Sequence, residues 1–143
     1  MKSLKKLLTM QSTRIKIPLL ILSLAGFFDS AYLTILHYKN IIPPCTIAKG
    51  CETVLTSRFA MIFGVPIALI GSLYFLTLIS LLLLGFLRYF KILIFLGIVV
   101  SVVLFFIQAF ILHAFCLYCL GVEAIILAIF ILSFSAKKVD VVK

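Results

Sequence analysis

Four stretches of the chain run apolar almost without interruption, at about residues 17–36, 65–87, 92–112 and 117–134. A half-buried strand would alternate polar and apolar positions, and a surface helix would repeat its apolar positions every three or four residues. Neither pattern interrupts these runs. A bilayer core about 30 Å thick is crossed by roughly 20 helical residues, so each run has the length of a transmembrane helix. Lipid leaves no water for open backbone groups, and unbroken apolar character is not that of a barrel strand, so all four are predicted to be α-helical.

The longest interruption, His37 to Gly64, carries its own pattern. Pro43-Pro44 disfavours helix at its start. Leu55, Phe59 and Ile62 then recur at i, i+4 and i+7, which predicts a short amphipathic helix lying on the end of the bundle. Pro66 suits the first turn of the second membrane helix, where a missing N–H does least harm. Gly97 and Ser101, four apart, predict a close approach of the third helix to a neighbour. The expected fold is an all-α four-transmembrane-helix bundle with a short amphipathic cap helix in the first outer loop. It forms one domain over residues 1–143, with a basic arm at 1–16 and a basic tail at 135–143.

Composition agrees with a lipid environment: 65% of the 143 residues are hydrophobic and 12% are charged, too few to cover a water-soluble domain of this size. The net charge of +9 raises the possibility of nucleic acid, but the basic residues flank the apolar runs, as orientation in a bilayer requires. Lys2, Lys5, Lys6, Arg14, Lys16, Arg88, Lys91, Lys137, Lys138 and Lys143 lie on one side of the four-span topology, against Lys39, Lys49 and Arg58 on the other. Both termini are therefore expected in the cytoplasm, with the His37–Gly64 loop and the turn at His113–Cys116 outside. A cleaved signal peptide is the competing reading of the N-terminus, from its basic start and Ser23-Leu24-Ala25; the apolar run continues to Leu36, as an anchor does.

In this topology Cys45, Cys51, Cys116 and Cys119 all fall at the outer face, the compartment where disulfides persist. Cys116-Leu117-Tyr118-Cys119 opens the fourth helix, where the positive end of the helix dipole stabilises a thiolate. Cys45 and Cys51 bracket a bendable loop containing Gly50. The spacing alone admits a redox relay, one or two disulfides that staple the loop to the bundle, or a four-cysteine zinc site. The corresponding functions are an oxidoreductase, a scaffold protein and a small metal-handling membrane protein.

Cys51-Glu52-Thr53-Val54-Leu55-Thr56-Ser57, followed by Phe63-Gly64-Val65-Pro66, resembles the signature of bacterial homologues in the vitamin K epoxide reductase family. Cys45 upstream and the C-x-x-C at the start of the last helix extend the resemblance, which favours the redox reading. Bacterial quinone reductases of the related four-helix type place C-x-x-C in the first outer loop, the reverse order. The resemblance implies a membrane thiol:quinone oxidoreductase in a bacterial cytoplasmic membrane, with ubiquinone or menaquinone as acceptor. Its partner would be a separate thioredoxin-fold (DsbA-like) thiol oxidase, because only a short tail follows Phe134. It implies no metal and no nucleic acid.

By position, Cys45 resembles the cysteine that meets the partner and Cys51 the relay cysteine that pairs with Cys45 or Cys116. Cys116 would receive the electrons, and Cys119 would be the thiolate beside the quinone. Ser57 matches a family serine near the site; its plain alternative is a cap on the short helix. Glu123 stands at i+4 from Cys119 and i+7 from Cys116 and is expected either to deliver a proton or to bond between helices. Asp29 is expected to be structural or solvated, and His37 and His113 to be solvated. Animal enzymes that reduce the epoxide carry asparagine and tyrosine where this chain has Ala60 and Glu123, so the resemblance points to quinone reduction rather than epoxide reduction.

Overall fold

A computed structural model describes residues 2–45 and 50–141, with side chains described for 14–45 and 50–135. Lys49 of the loop before Cys51, and the side chains of Lys2, Lys5, Lys6, Lys137, Lys138 and Lys143, lie outside the described residues.

Helix α1 (Lys2–Tyr38) includes Pro18 and contains a membrane span at Arg14–Tyr38. A short α2 (Cys51–Leu55) is followed by a 3-10 turn at Arg58–Ala60 and a two-stranded antiparallel hairpin, β1 (Met61–Ile62) with β2 (Val65–Pro66). Then come α3 (Ile67–Leu84), α4 (Leu87–Phe106) with a π-turn at Ile107–Ile111, and α5 (Leu117–Val141). Four helices are long and apolar enough to cross a membrane, as the apolar runs predict. Around the bundle α1 touches α3 and α5, and α4 touches α5 and α3, so the four helices close a square. Large apolar side chains such as Phe28, Leu83, Phe95, Phe106 and Ile131 point outward. Such a surface is stable only against lipid.

Three boundaries differ from the sequence expectation. Helices α1 and α5 run on through the basic arm and tail, which are continuous with the spans rather than separate from them. The link between α3 and α4 is only Gly85 and Phe86, and Arg88 and Lys91 sit in the first turns of α4. Gly85 takes φ +81°, a left-handed cap in which the Phe86 N–H reaches back to the Leu81 carbonyl at 3.0 Å and stops α3 abruptly.

The cap is also shorter than the Leu55–Phe59–Ile62 stripe predicts. Thr56 Oγ1 donates to the Glu52 carbonyl at 2.6 Å and Ser57 Oγ to the Val54 carbonyl at 2.7 Å. These local bonds compete with continued helix, and Ser57 turns to extended backbone at ψ 159°. Phe59 therefore lies in the 3-10 turn and Ile62 in β1. Phe63 (φ 51°) and Gly64 (φ 81°) form the two-residue hairpin loop; positive φ at both positions is the type I′ pattern.

Packing differs between the two halves of the bundle. In the half nearer the termini a continuous core of Leu19, Phe75, Leu78, Leu82, Phe90, Ile94, Ile126 and Ile129 fills the space between the helices. Small residues bring the helices together: an added Cβ at Gly26 would overlap the Phe75 ring, and one at Gly97 would overlap the Tyr74 phenol. Gly97 and Ser101 are both buried, as their spacing predicts. Tyr74 donates its hydroxyl to the Leu93 carbonyl at 2.9 Å, tying α3 to α4. Gly97→Ala should force this tyrosine out of place and destabilise the bundle by about 1–3 kcal/mol. Thermal unfolding in detergent would read this as a lower Tm.

Candidate functional site

In the half nearer α2 and the α4–α5 turn the core gives way to a cavity of about 320 Å³ between all four spans and the cap. Its walls are almost wholly apolar, and Ser57, Gln108, Cys119 and Glu123 supply polar groups. A few polar groups in an apolar pocket of a few hundred Å³ is the pattern of a small-molecule site.

The sulfurs gather beside this cavity. Cys45 and Cys51 form a disulfide with Cα atoms 6.2 Å apart, while Cys116 and Cys119 are thiols. Cys51 and Cys116, 1% and 0% exposed, pack with Val54 in one buried cluster against which Cys45, Cys119 and Tyr118 also lie. Residues 65 apart in sequence meet because the α2 loop closes on the segment before α5. Gly50 makes that approach possible. A Cβ there would lie 2.6 Å from the Phe115 backbone nitrogen and 2.7 Å from its oxygen. The backbone at Gly50, φ −90° and ψ −8°, suits any residue, so the requirement is space rather than conformation.

Cys116 immediately precedes α5 and acts as its cap: the Cys119 N–H donates to Cys116 Sγ at 3.4 Å. The Cys119 thiol also donates to this sulfur and, with the Cys119 and Tyr118 backbone N–H groups, pulls the Cys116 thiol down to about 7; burial and the nearby Asp29 carboxyl act in the opposite sense. The thiolate-stabilising geometry thus belongs to Cys116, whereas Cys119 holds the cavity wall. A thiol whose value is lowered on folding contributes stability that is fully present above the ordinary thiol value near 8.5 and is lost as pH falls through about 7. Titrating the reduced protein by thiolate ultraviolet absorbance should give a step at about 7 that disappears in Cys116→Ser.

Of the other candidates, Ser57 lines the cavity but commits its hydroxyl hydrogen to the Val54 carbonyl. It ends α2 and leaves its oxygen as an acceptor. Glu123 lines the cavity with Cys119 on the same face of α5. Asp29, expected to be structural or solvated, is half-buried, and its Oδ2 is buried without a protein hydrogen-bond partner. His37 also contributes to the cavity wall. Tyr32 of α1 packs on Tyr118 within the C-x-x-C, with ring centroids 5.9 Å apart.

Sequence reasoning missed Gln108. It is 3% exposed, in the π-turn of α4, and bonds to both the Cys116 backbone and Glu123. A polar residue in an otherwise apolar span was the available signal.

A protein-family model described as the vitamin K epoxide reductase family matches residues 17–134, from the first span to the last. The chain belongs to the vitamin K epoxide reductase family. Comparison with curated proteins finds no match. Family membership makes this a membrane disulfide oxidoreductase, and its loop disulfide and neighbouring thiols are the groups such chemistry uses. Vitamin K epoxide reductase family proteins are quinone-linked in general. The cavity fits such a group: apolar walls suit the ring and its substituents, and Cys119, Gln108 and Glu123 provide the sulfur and polar atoms.

Proposed function

We propose that this vitamin K epoxide reductase family member is a thiol:quinone oxidoreductase that reoxidises a separate extracytoplasmic thioredoxin-fold protein and so supports disulfide bond formation. The observation that carries this reading is the gathering of all four cysteines in one cluster at the wall of an apolar cavity. The bias of Lys and Arg toward the terminal side supports a cytoplasmic location for both termini, and a bacterial cytoplasmic membrane with the cysteines outside.

A partner thiolate attacks the Cys45–Cys51 disulfide at Cys45, the more accessible sulfur, and Cys51 leaves as thiolate. In the oxidised Cys116–Cys119 state, Cys51 attacks Cys116 beside it, forming a Cys51–Cys116 disulfide and releasing Cys119 toward the cavity. The partner's second thiol then displaces Cys45 from the mixed disulfide, and the partner leaves oxidised. The freed Cys45 thiolate attacks Cys51, restoring the loop disulfide and releasing Cys116, so that Cys116 and Cys119 remain as a dithiol.

Closing that dithiol releases two electrons and two protons. A quinone in the cavity supplies the two-electron acceptor that takes them up. Cys119 lines this cavity, Cys116 holds the stabilised thiolate, and Glu123 offers a carboxyl for proton exchange at the cavity wall. The apolar walls exclude water from the exchange.

The test is quinone absorbance during incubation of the purified protein with a reduced thioredoxin-fold oxidase and a soluble quinone. One quinone should be consumed per partner disulfide formed. No quinone loss with any dithiol donor would overturn the reading.

A further inference from the structure

Three polar atoms of Gln108 are engaged. Its backbone carbonyl accepts from the Ala114 N–H at 3.1 Å, its side-chain Oε1 accepts from the Cys116 N–H at 3.0 Å, and its Nε2 donates to Glu123 Oε1 at 3.1 Å. A backbone N–H can only donate, so the Cys116 bond fixes Oε1 toward the cysteine turn and leaves the amide nitrogen aimed at Glu123. The π-turn adapts the end of α4 to this arrangement: the Leu112 N–H bonds the Ile107 carbonyl at 2.9 Å, five residues back, and the chain then turns down to Cys116. One buried amide thus joins the backbone of the capping cysteine to the carboxyl at the cavity wall.

We propose that Gln108 is a positioning residue that ties the Glu123 carboxyl to the Cys116–Cys119 turn, so that the redox state of the cysteine pair sets where the carboxyl sits in the cavity. In the dithiol state Cys116 Sγ accepts the Cys119 N–H and its own N–H is held by Gln108. Forming the Cys116–Cys119 bond draws Cys119 toward Cys116 and changes that capping bond. Gln108, bonded to the same turn, carries the adjustment to Glu123. The Glu123 carboxyl is thereby placed in step with the sulfurs. This rests on the quinone-reductase reading for its purpose, but the coupling itself is a property of the protein alone.

The titratable groups facing the network are Asp29 and His37 from α1, Tyr74 from α3, Cys116 just before α5, and Cys119 and Glu123 in its first turns. Among the described residues, α4 and the cap contribute none to the cavity wall.

The test is an infrared difference spectrum of oxidised minus dithiol-reduced protein, with the Glu123 carboxyl band identified by its loss in Glu123→Gln. In Gln108→Leu the band should move to higher frequency, as a carbonyl does on losing a donor, and its redox response should fall by at least about half. Quinone turnover should drop about 10- to 100-fold, the effect expected on losing a hydrogen bond to an ionisable group. Gln108→Glu separates positioning from packing. When protonated, its carboxyl can still accept from Cys116 and donate to Glu123; when ionised it can no longer donate to Glu123. This variant should therefore approach wild-type band position and turnover at low pH and lose both as pH rises, while its Tm changes little. An unchanged Glu123 band in Gln108→Leu, or a Gln108→Glu profile parallel to wild type, would overturn the proposal. Failure of the wild-type protein to reduce quinone would count against the proposed function, and the infrared result would still decide the role of Gln108.

Discussion

Cys119→Ser should abolish quinone reduction from every donor, whereas Cys45→Ser should block only the protein donor. The contrast follows from where the two sulfurs sit. Cys119 lines the cavity, and no other cysteine does, so without it no sulfur can close a disulfide at the acceptor. Cys45 packs against the buried Cys51–Cys116 cluster without lining the cavity, and in the proposed relay it receives the partner's thiolate and then restores the loop disulfide. A small dithiol entering through the cavity can attack Cys119 directly, with Cys116 as a good leaving group because its thiol is held at about 7. In Cys45→Ser, dithiothreitol-driven turnover should therefore stay within about twofold of wild type, while partner-driven turnover falls by at least about 10³-fold, as expected when an essential covalent group is removed. The measurement is quinone absorbance with each donor in turn. Equal full activity of both variants would refute the assignment of the sulfurs.

Gly50→Ala should separate the two halves of the relay while leaving all four cysteines in place. Its new methyl would meet the Phe115 nitrogen at 2.6 Å and oxygen at 2.7 Å, distances no Cβ tolerates, and both atoms are backbone that cannot swing aside. Either the α2 loop or the 114–116 segment must move, and the next residue in each is a relay cysteine. A displacement near 1 Å in a reacting geometry costs on the order of 10²-fold in rate. Partner-driven quinone reduction should fall by about that factor, with dithiothreitol-driven reduction nearly unchanged. The trapped Cys51–Cys116 disulfide, read by mass spectrometry in a Cys45→Ser, Cys119→Ser background, should be depleted by the added Gly50→Ala. Wild-type yield of that species would show that the loop reaches Cys116 without the close contact.

Much of the architecture was legible because lipid imposes a simple rule. Apolar runs of sufficient length with basic flanks read as helices whatever their neighbours do, and each of the four appears within a few residues of its expected place. The ends were less legible, since Gly85 as a left-handed cap and the Ser57 hydroxyl on Val54 are local hydrogen-bonding choices that hydropathy does not encode. The Leu55–Phe59–Ile62 stripe looked helical for the same reason: its periodicity was correct, but Thr56 and Ser57 terminate the helix within it.

The four cysteines, their division into two pairs and their position beside apolar spans were determined by the sequence alone, because covalent spacing and the energetics of burial in lipid depend on local composition. Which sulfurs meet was decided only by the tertiary structure, since it depends on the space Gly50 leaves against Phe115. The same holds for Gln108: a single amide in an apolar helix becomes a link between Cys116 and Glu123 only when α4 ends in a π-turn and α5 starts beside it. Hydrogen bonds between residues distant in sequence require an approach accurate to a few tenths of an ångström, and that precision comes from packing rather than pattern.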